Sequence, residues 1–222
     1  MRALVIGHDH VAGLGPLGAE LADRGYELTW LTAVPEERFD DPDVAVALPA
    51  STGWDLVVTL GAPWPRARIA GWAADEVDFL ARVAGEGAAV LGVCFGAQLL
   101  AEALGAEAVA LPAPRIGWFP VTPRVPDLAP GPWFQWHADQ LTAPPAAEVL
   151  AASVDGVEAF QAGRCVGVQF HPEMTPRLLE RWLGLPGGPP RGLDVASLRG
   201  ATREHAPAAA RASRALLDRL QR

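Results

Sequence analysis

The sequence contains no lysine and no asparagine, and all 18 of its basic residues are arginines. A Schiff-base lysine and the lysine of a phosphate-binding P-loop are thereby excluded. Beside abundant Ala, Gly, Pro and Arg, these absences read as a GC-rich coding bias rather than as a function. Cysteine is scarce. Cys94 and Cys165 are the only two, too few for a disulfide framework. Positive charge is outweighed, with 18 basic against 26 acidic residues and a net charge of −8. That balance argues against nucleic acid or an anionic membrane as partner, because both demand a basic surface. Long apolar runs are missing too. None reaches the roughly 18 residues of a membrane span, and the N-terminal run meets His8 and Asp9 too soon for a signal peptide. The cytoplasm is the simplest expected location.

What is present is a chain of 222 residues, 50% hydrophobic and 20% charged. That is long enough for one domain with a sizeable core. Short apolar runs alternate with helical stretches, which predicts α/β layering. Strands are expected at Arg2–Gly7, Glu27–Leu31, Leu56–Leu60 and Ala88–Val93. Helices are expected at Pro16–Arg24, Asp75–Ala84 and Phe95–Leu104, the first stopped by Gly25 and the last by Gly105. Beyond Gly105 the prolines at 112, 114, 120, 123, 126, 130 and 132 cut the chain into short extended pieces. Candidate strands there are Trp118–Thr122, Trp133–His137, Val149–Ser153, Val157–Gln161 and Val166–Phe170. Leu185–Arg191 reads Leu-Pro-Gly-Gly-Pro-Pro-Arg and is expected to be a linker. A terminal helix is expected over Ala208–Arg222. The division predicted is therefore a domain over 1–185 followed by a linker and helical extension over 186–222.

Two segments carry chemistry. Gly92-Val93-Cys94-Phe95-Gly96 lies between an apolar strand and an Ala/Leu-rich helix, the shape of a nucleophile elbow. A sharp strand-to-helix turn leaves no room for side chains flanking the nucleophile, hence the two glycines. The thiol would project from the sheet's C-terminal edge, where the helix dipole favours a thiolate. The Phe95 N–H would face the same space and hold a developing oxyanion. The plainer alternative for Cys94 on this segment alone is a small buried hydrophobe on a tight turn. The second segment is His171-Pro172-Glu173, after Val166–Phe170. Pro172 favours an extended His171, and residues two apart on extended chain share a side. Glu173 can thus orient His171 as the third group of a triad; a surface His–Glu pair is the plainer alternative.

Together, Gly92-Val93-Cys94-Phe95-Gly96-Ala97-Gln98 and Gln169-Phe170-His171-Pro172-Glu173 resemble the class I, triad-type glutamine amidotransferases. Softer matches are Leu60-Gly61-Ala62-Pro63, Phe134-Gln135-Trp136-His137-Ala138-Asp139 and Gln161-Ala162. The resemblance covers roughly residues 1–183, and within the family it is to stand-alone proteins similar to the glutaminase domain of GMP synthase. It implies an open, mostly parallel, flavodoxin-like sheet with helices on both faces, plus antiparallel strands and a C-terminal helix. It implies that Cys94 attacks the side-chain amide of glutamine or of a γ-glutamyl compound, with His171 as base and Glu173 as its orienting partner. Backbone N–H groups of Phe95 and of Gly61–Ala62 would form the oxyanion hole, and Gln98 would contact the substrate. No metal or organic cofactor is implied. Ammonia, if transferred, would go to a separate synthetase or acceptor protein. The alternatives are a γ-glutamyl peptide hydrolase without ammonia transfer, or a silent regulatory or binding subunit on the same scaffold. Two departures stand out. The family's Gly-Gly-Pro turn is Gly61-Ala62-Pro63 here, and Arg115 stands before Ile116-Gly117-Trp118 where many relatives are acidic, which predicts an extra positive charge near the site.

Other features invite other readings. Gly13-Leu14-Gly15-Pro16-Leu17-Gly18 fits the dinucleotide fingerprint G-x-G-x-x-G, but no acidic residue closes a second strand. A glycine-rich loop entering the helix at Pro16 is the better expectation. His8, Asp9 and His10, with His137 and Asp139, are conceivable metal ligands, but their spacing fits no standard zinc pattern. The first three are expected to be solvated loop residues, and His137 and Asp139 to shape the pocket. Trp133 and Trp136 either line a ligand site or fill core and rim. Cys165 is expected to be a structural thiol too far from Cys94 to pair with it. The helical tail after Leu185 is either a docking element or a cover for the domain's own sheet.

Overall fold

The computed structural model describes residues 1–221. Its ten strands are β1 (Arg2–Gly7), β2 (Glu27–Thr32), β3 (Leu56–Thr59), β4 (Ala89–Val93), β5 (Ala108–Phe119), β6 (Thr122–Pro123), β7 (Trp133–Leu141), β8 (Glu148–Ser153), β9 (Gly156–Ala162) and β10 (Cys165–Val168). The α-helices are α1 (Pro16–Asp23), α2 (Ala70–Gly85), α3 (Phe95–Ala103), α4 (Pro176–Leu183), α5 (Val195–Ala212) and α6 (Arg214–Arg219). Eight strands form one sheet in the order β2-β1-β3-β4-β10-β9-β8-β6. The first five in that order run parallel, and β9, β8 and β6 extend them antiparallel. This is the flavodoxin-like order with an antiparallel wing. β5 and β7 make a separate antiparallel ribbon.

Strands buried on both faces read as continuous apolar runs, which is why β1, β3, β4 and β10 were legible. Alternate residues of each strand face opposite layers. Leu4, Ile6, Val57 and Val90 pack with Trp72, Phe79, Leu80 and Val83 of α2 and with Leu99 and Leu100 of α3. Ala3, Val5, Leu56, Val58, Leu91, Val166 and Val168 pack with Leu17 and Leu21 of α1 and with Leu216 and Leu217 of α6. Among the described residues no helix is long and apolar enough to cross a membrane.

Several elements differ from expectation. α2 begins at Ala70 rather than Asp75, because Trp72 and Ala73 are already on its buried face. β5 runs through Pro112 and Pro114, which a central strand would not tolerate. It is in a two-stranded ribbon, and its register breaks between Ala110 and Arg115, where those prolines lie. α4 was not anticipated; Thr175 caps it by accepting from the Leu178 N–H at 3.1 Å, with Pro176 in the first turn. The terminal helix expected over Ala208–Arg222 is two helices. α5 starts far earlier, at Val195, capped by Asp194, whose carboxylate accepts from the Ser197 N–H at 3.0 Å. The chain breaks at Ser213 before α6, and Arg222 lies outside the described residues.

The extension lies on the rest of the chain. Leu216, Leu217 and Leu220 are buried in the sheet's α1-side core, each burial stabilising by about 1.5–3 kcal/mol. Leu198 of α5 joins Phe134, Met174, Leu178 and Leu179 in a third apolar cluster, between the ribbon and α4. Trp118 of β5 donates to Thr202 of α5 at 2.9 Å.

Candidate active site

The parallel strands point their C-terminal ends to one edge, where open α/β sheets gather their loops and bind ligands. His8 follows β1, Gly61 follows β3, Cys94 follows β4, and His171 follows β10. A cleft of about 580 Å³ opens there, lined among others by Gly61, Ala62, Cys94, Phe95, Gln98, His171 and Glu173.

Cys94 is the one non-glycine residue with positive φ among those described (φ 53°). Such a backbone costs about 1–3 kcal/mol and persists only when its surroundings impose it. They do. The Cys94 N–H donates to Val168 O at 2.8 Å, and the Gly96 N–H donates to Leu60 O at 2.9 Å. A Cβ at Gly92 would lie 2.7 Å from the Ala97 Cα, and one at Gly96 would overlap the Thr59 carbonyl. The glycines thus serve the close approach that the elbow spacing implied. The thiol points toward Trp136 O at 3.8 Å and receives the Gln169 side-chain N–H at 3.8 Å. Phe95 is the first residue of α3, so its N–H has no partner within the helix.

His171 reaches the same point from β10. A Cβ on Gly61 would lie 3.2 Å from His171 Cε1 and 3.7 Å from Cys94 Cβ, so the two side chains close around this glycine. His171 Nδ1 bonds Glu173 Oε1 at 2.7 Å. His171 Nε2 is buried without a hydrogen-bond partner among the described residues. Burial alone would lower the His171 pKa, but the charges of Glu173 and Cys94 overcome it and carry it up to about 10. The His171 N–H donates to Phe134 O at 2.8 Å, and the ring packs edge-on against Trp182 with centroids 4.8 Å apart.

Gln98 lines the cleft, with its amide N–H donated to Asp139 O at 2.8 Å and to Gln169 Oε1 at 3.3 Å. His137 and Asp139 also line it. His137 faces Asp139 O and Gln135 Oε1, each at 3.0 Å, and burial together with the His171 charge lowers its pKa to about 4. Trp136 lines the cleft, whereas Trp133 is core, stacked on Phe170 at 4.5 Å.

Of the other expectations, some hold and some are corrected. His8 and Asp9 are buried rather than solvated, because β1 ends beneath the turn that carries Gly61. Arg115 stands opposite His137 in the ribbon, and its charge helps lower the His137 pKa, so a positive charge does lie beside the site; its guanidinium pairs with Asp155 and lies over the Phe119 ring at 4.3 Å. Of the glycines at 13–18, Gly15 serves close packing. A Cβ at Gly15 (φ 48°) would overlap the Glu173 carbonyl. Cys165 is a free, buried thiol whose pKa burial pushes up to about 11. Its register partner is Val90, four residues before Cys94, so the two sulfurs are separated by roughly 13 Å of strand. Sequence reasoning missed Trp182, Gln169 and the carbonyls of Phe134 and Trp136. Gln169, Phe134 and Trp136 sat inside quoted motifs; Trp182 had no local signal.

The profile of the family Glutamine amidotransferase class-I matches residues 21–182. The chain belongs to this family. Among curated relatives of this amidotransferase, "GMP synthase [glutamine-hydrolyzing]" of Aeropyrum pernix is 34% identical over 159 residues, 64% of this chain and 29% of that protein. The chain thus spans under a third of that relative's length. "Putative glutamine amidotransferase-like protein YfeJ" of Salmonella typhimurium is 29% identical over 197 residues, 81% of this chain and 79% of that protein. A solved glutamine amidotransferase from Thermotoga maritima superposes with a TM-score of 0.80 at 23% identity, covering 99% of this chain and 97% of that one. At that identity it speaks for the fold alone. The fold of this amidotransferase is accordingly that of its family, with the antiparallel wing and the ribbon beside the parallel core.

Proposed function

We propose that this protein hydrolyses the side-chain amide of glutamine or of a γ-glutamyl compound through a Cys94–His171–Glu173 triad. The observation that carries the reading is the meeting of Cys94, on its strained elbow, with the Glu173-bound His171 around Gly61. His171 takes the thiol proton, and the thiolate Sγ so formed attacks the amide carbon. The carbonyl electrons pass to oxygen, where the N–H groups of Phe95 and of the Gly61–Ala62 turn stabilise the charge. The C–N bond breaks, His171 returns the proton to the leaving amine, and a γ-glutamyl thioester remains on Cys94. Water, deprotonated by His171, then releases glutamate and the thiol. Gln98 holds the substrate from the start of α3. No cofactor enters these steps. Ammonia would pass to a separate synthetase or acceptor protein.

A second reading is favoured by the cleft itself. Its volume of about 580 Å³ and its aromatic lining, including Phe39, Trp64, Trp136 and Trp182, exceed what a glutamine side chain fills. A γ-glutamyl amide with a bulky amine would use that space, without ammonia transfer. The deciding experiment is hydrolysis by purified protein beside Cys94→Ala, with glutamine and a panel of γ-glutamyl amides. Cys94-dependent release of ammonia from glutamine supports the first reading. Turnover of substituted amides alone supports the second, and silence on every substrate refutes both and leaves a regulatory or binding subunit.

A further inference from the structure

Behind the Gly61 turn, outside the triad, lies a buried polar network. His8 is wholly buried, stacked on Trp72 with centroids 5.1 Å apart and edge-on to Phe95 at 5.4 Å. Its Nδ1 meets Gly61 O at 3.1 Å and its Nε2 meets Glu76 Oε2 at 2.9 Å. The other Glu76 oxygen accepts from the Thr59 hydroxyl at 2.6 Å. Trp72 and Phe95 close around the His8 ring, and buried Asp9 is a further negative charge that helps raise its pKa. A buried ion pair of this kind is seldom favourable to stability when compared with apolar residues of the same volume.

The protonation pattern follows from the partners. A carbonyl oxygen only accepts, so Nδ1 carries a proton, and a carboxylate opposite Nε2 asks for a second. Burial opposes the resulting cation, but Glu76 and the Gly61 carbonyl raise the His8 pKa above its ordinary value. The Gly61 carbonyl and the Ala62 N–H belong to one planar trans peptide and point in opposite directions. Holding the carbonyl against His8, behind the turn, turns the N–H of Ala62 toward the cleft that Gly61 and Ala62 line. That N–H has no acceptor among the described residues. A positive donor on the carbonyl also polarises the whole peptide and strengthens its N–H.

We propose that His8, held by Glu76, is a positioning residue that orients and polarises the Gly61–Ala62 peptide as an oxyanion donor. This rests on the glutaminase reading above. It also accounts for an alanine at position 62, since the peptide is fixed by its carbonyl from behind.

The test is Glu76→Gln, read by three measurements. Amide hydrolysis needs the oxyanion donor, whereas alkylation of Cys94 by iodoacetamide does not. We expect kcat to fall about 10- to 100-fold, below the loss from deleting an oxyanion donor outright, with KM and the alkylation rate unchanged. Turnover equal to wild type overturns the proposal. So does a parallel fall in alkylation, because the pair would then act on the thiol. The third measurement is the 15N spectrum of the His8 ring in the wild-type protein, which is independent of turnover. If wild type hydrolyses nothing, the glutaminase reading fails, and this spectrum judges the His8 device alone; it does the same if Glu76→Gln does not fold. Two protonated ring nitrogens support it, and one protonated nitrogen overturns it.

Discussion

Gly15 lies against the backbone of Glu173: a Cβ at position 15 would overlap the Glu173 carbonyl, and φ at Gly15 is 48°. The loop before α1 is therefore the floor under the residue that bonds His171. Gly15→Ala should cost about 1–3 kcal/mol from backbone strain alone. It should also shift Glu173, so kcat should fall more than KM rises. Thermal unfolding and steady-state kinetics check both.

His171, raised by Glu173 and by Cys94, makes stability depend on pH, and Glu173 supplies part of that dependence. The folded His171 pKa of about 10 stands above its ordinary 6.5, so the contribution of these contacts is complete below about pH 6.5. It is lost as pH rises toward 10, at up to about 1.4 kcal/mol per pH unit. Denaturant titrations of wild type and Glu173→Gln should show a wild-type advantage that shrinks across that window. A constant difference from pH 6 to 10 would contradict it.

Thiol reactivity should separate the two cysteines. Cys165 is buried with its pKa pushed up to about 11, so it should stay unlabelled by iodoacetamide near neutral pH until the protein unfolds. Cys94 lines the cleft and should label first. Peptide mass mapping after timed exposure reads the order.

We propose that residues 186–222 are held as part of the folded body. Leu216→Ala removes a fully buried side chain from the sheet's core and should cost about 2–5 kcal/mol. Deleting 187–222 would strip Leu198, Leu216, Leu217 and Leu220 from two apolar clusters, and loss of cooperative unfolding is expected. A deletion product that unfolds as sharply as wild type would instead make the tail a docking element.

Trp182 packs edge-on against the His171 ring, and Phe134 O accepts the His171 N–H. Trp182→Ala should leave the Phe134 bond intact but free the ring to rotate, lowering kcat by about 10-fold or more. Trp182→Phe should restore most of it, since an aromatic edge is what the ring requires.

Elements with local causes were legible before any fold was known. Continuous apolar runs marked β1, β3 and β4, because strands buried on both faces need no polar side. Gly92 and Gly96 marked the elbow, because a sharp turn excludes side chains at its flanks. The spacing of His171 and Glu173 marked their pairing, because extended chain returns to the same side every second residue. Tertiary structure decided the contacts between segments far apart in the chain. His8 meets Gly61 across 53 residues, and Gln169 meets Cys94 across 75. Arg115 reads in sequence as an added charge, but only the fold supplies Asp155 as its partner and His137 as the group it acts on. His8 looked like a loop residue because nothing near it in sequence shows that β1 ends beneath the Gly61 turn. Periodicity and turn chemistry act over a few residues, whereas strand order and register choose which distant side chains share one point in space.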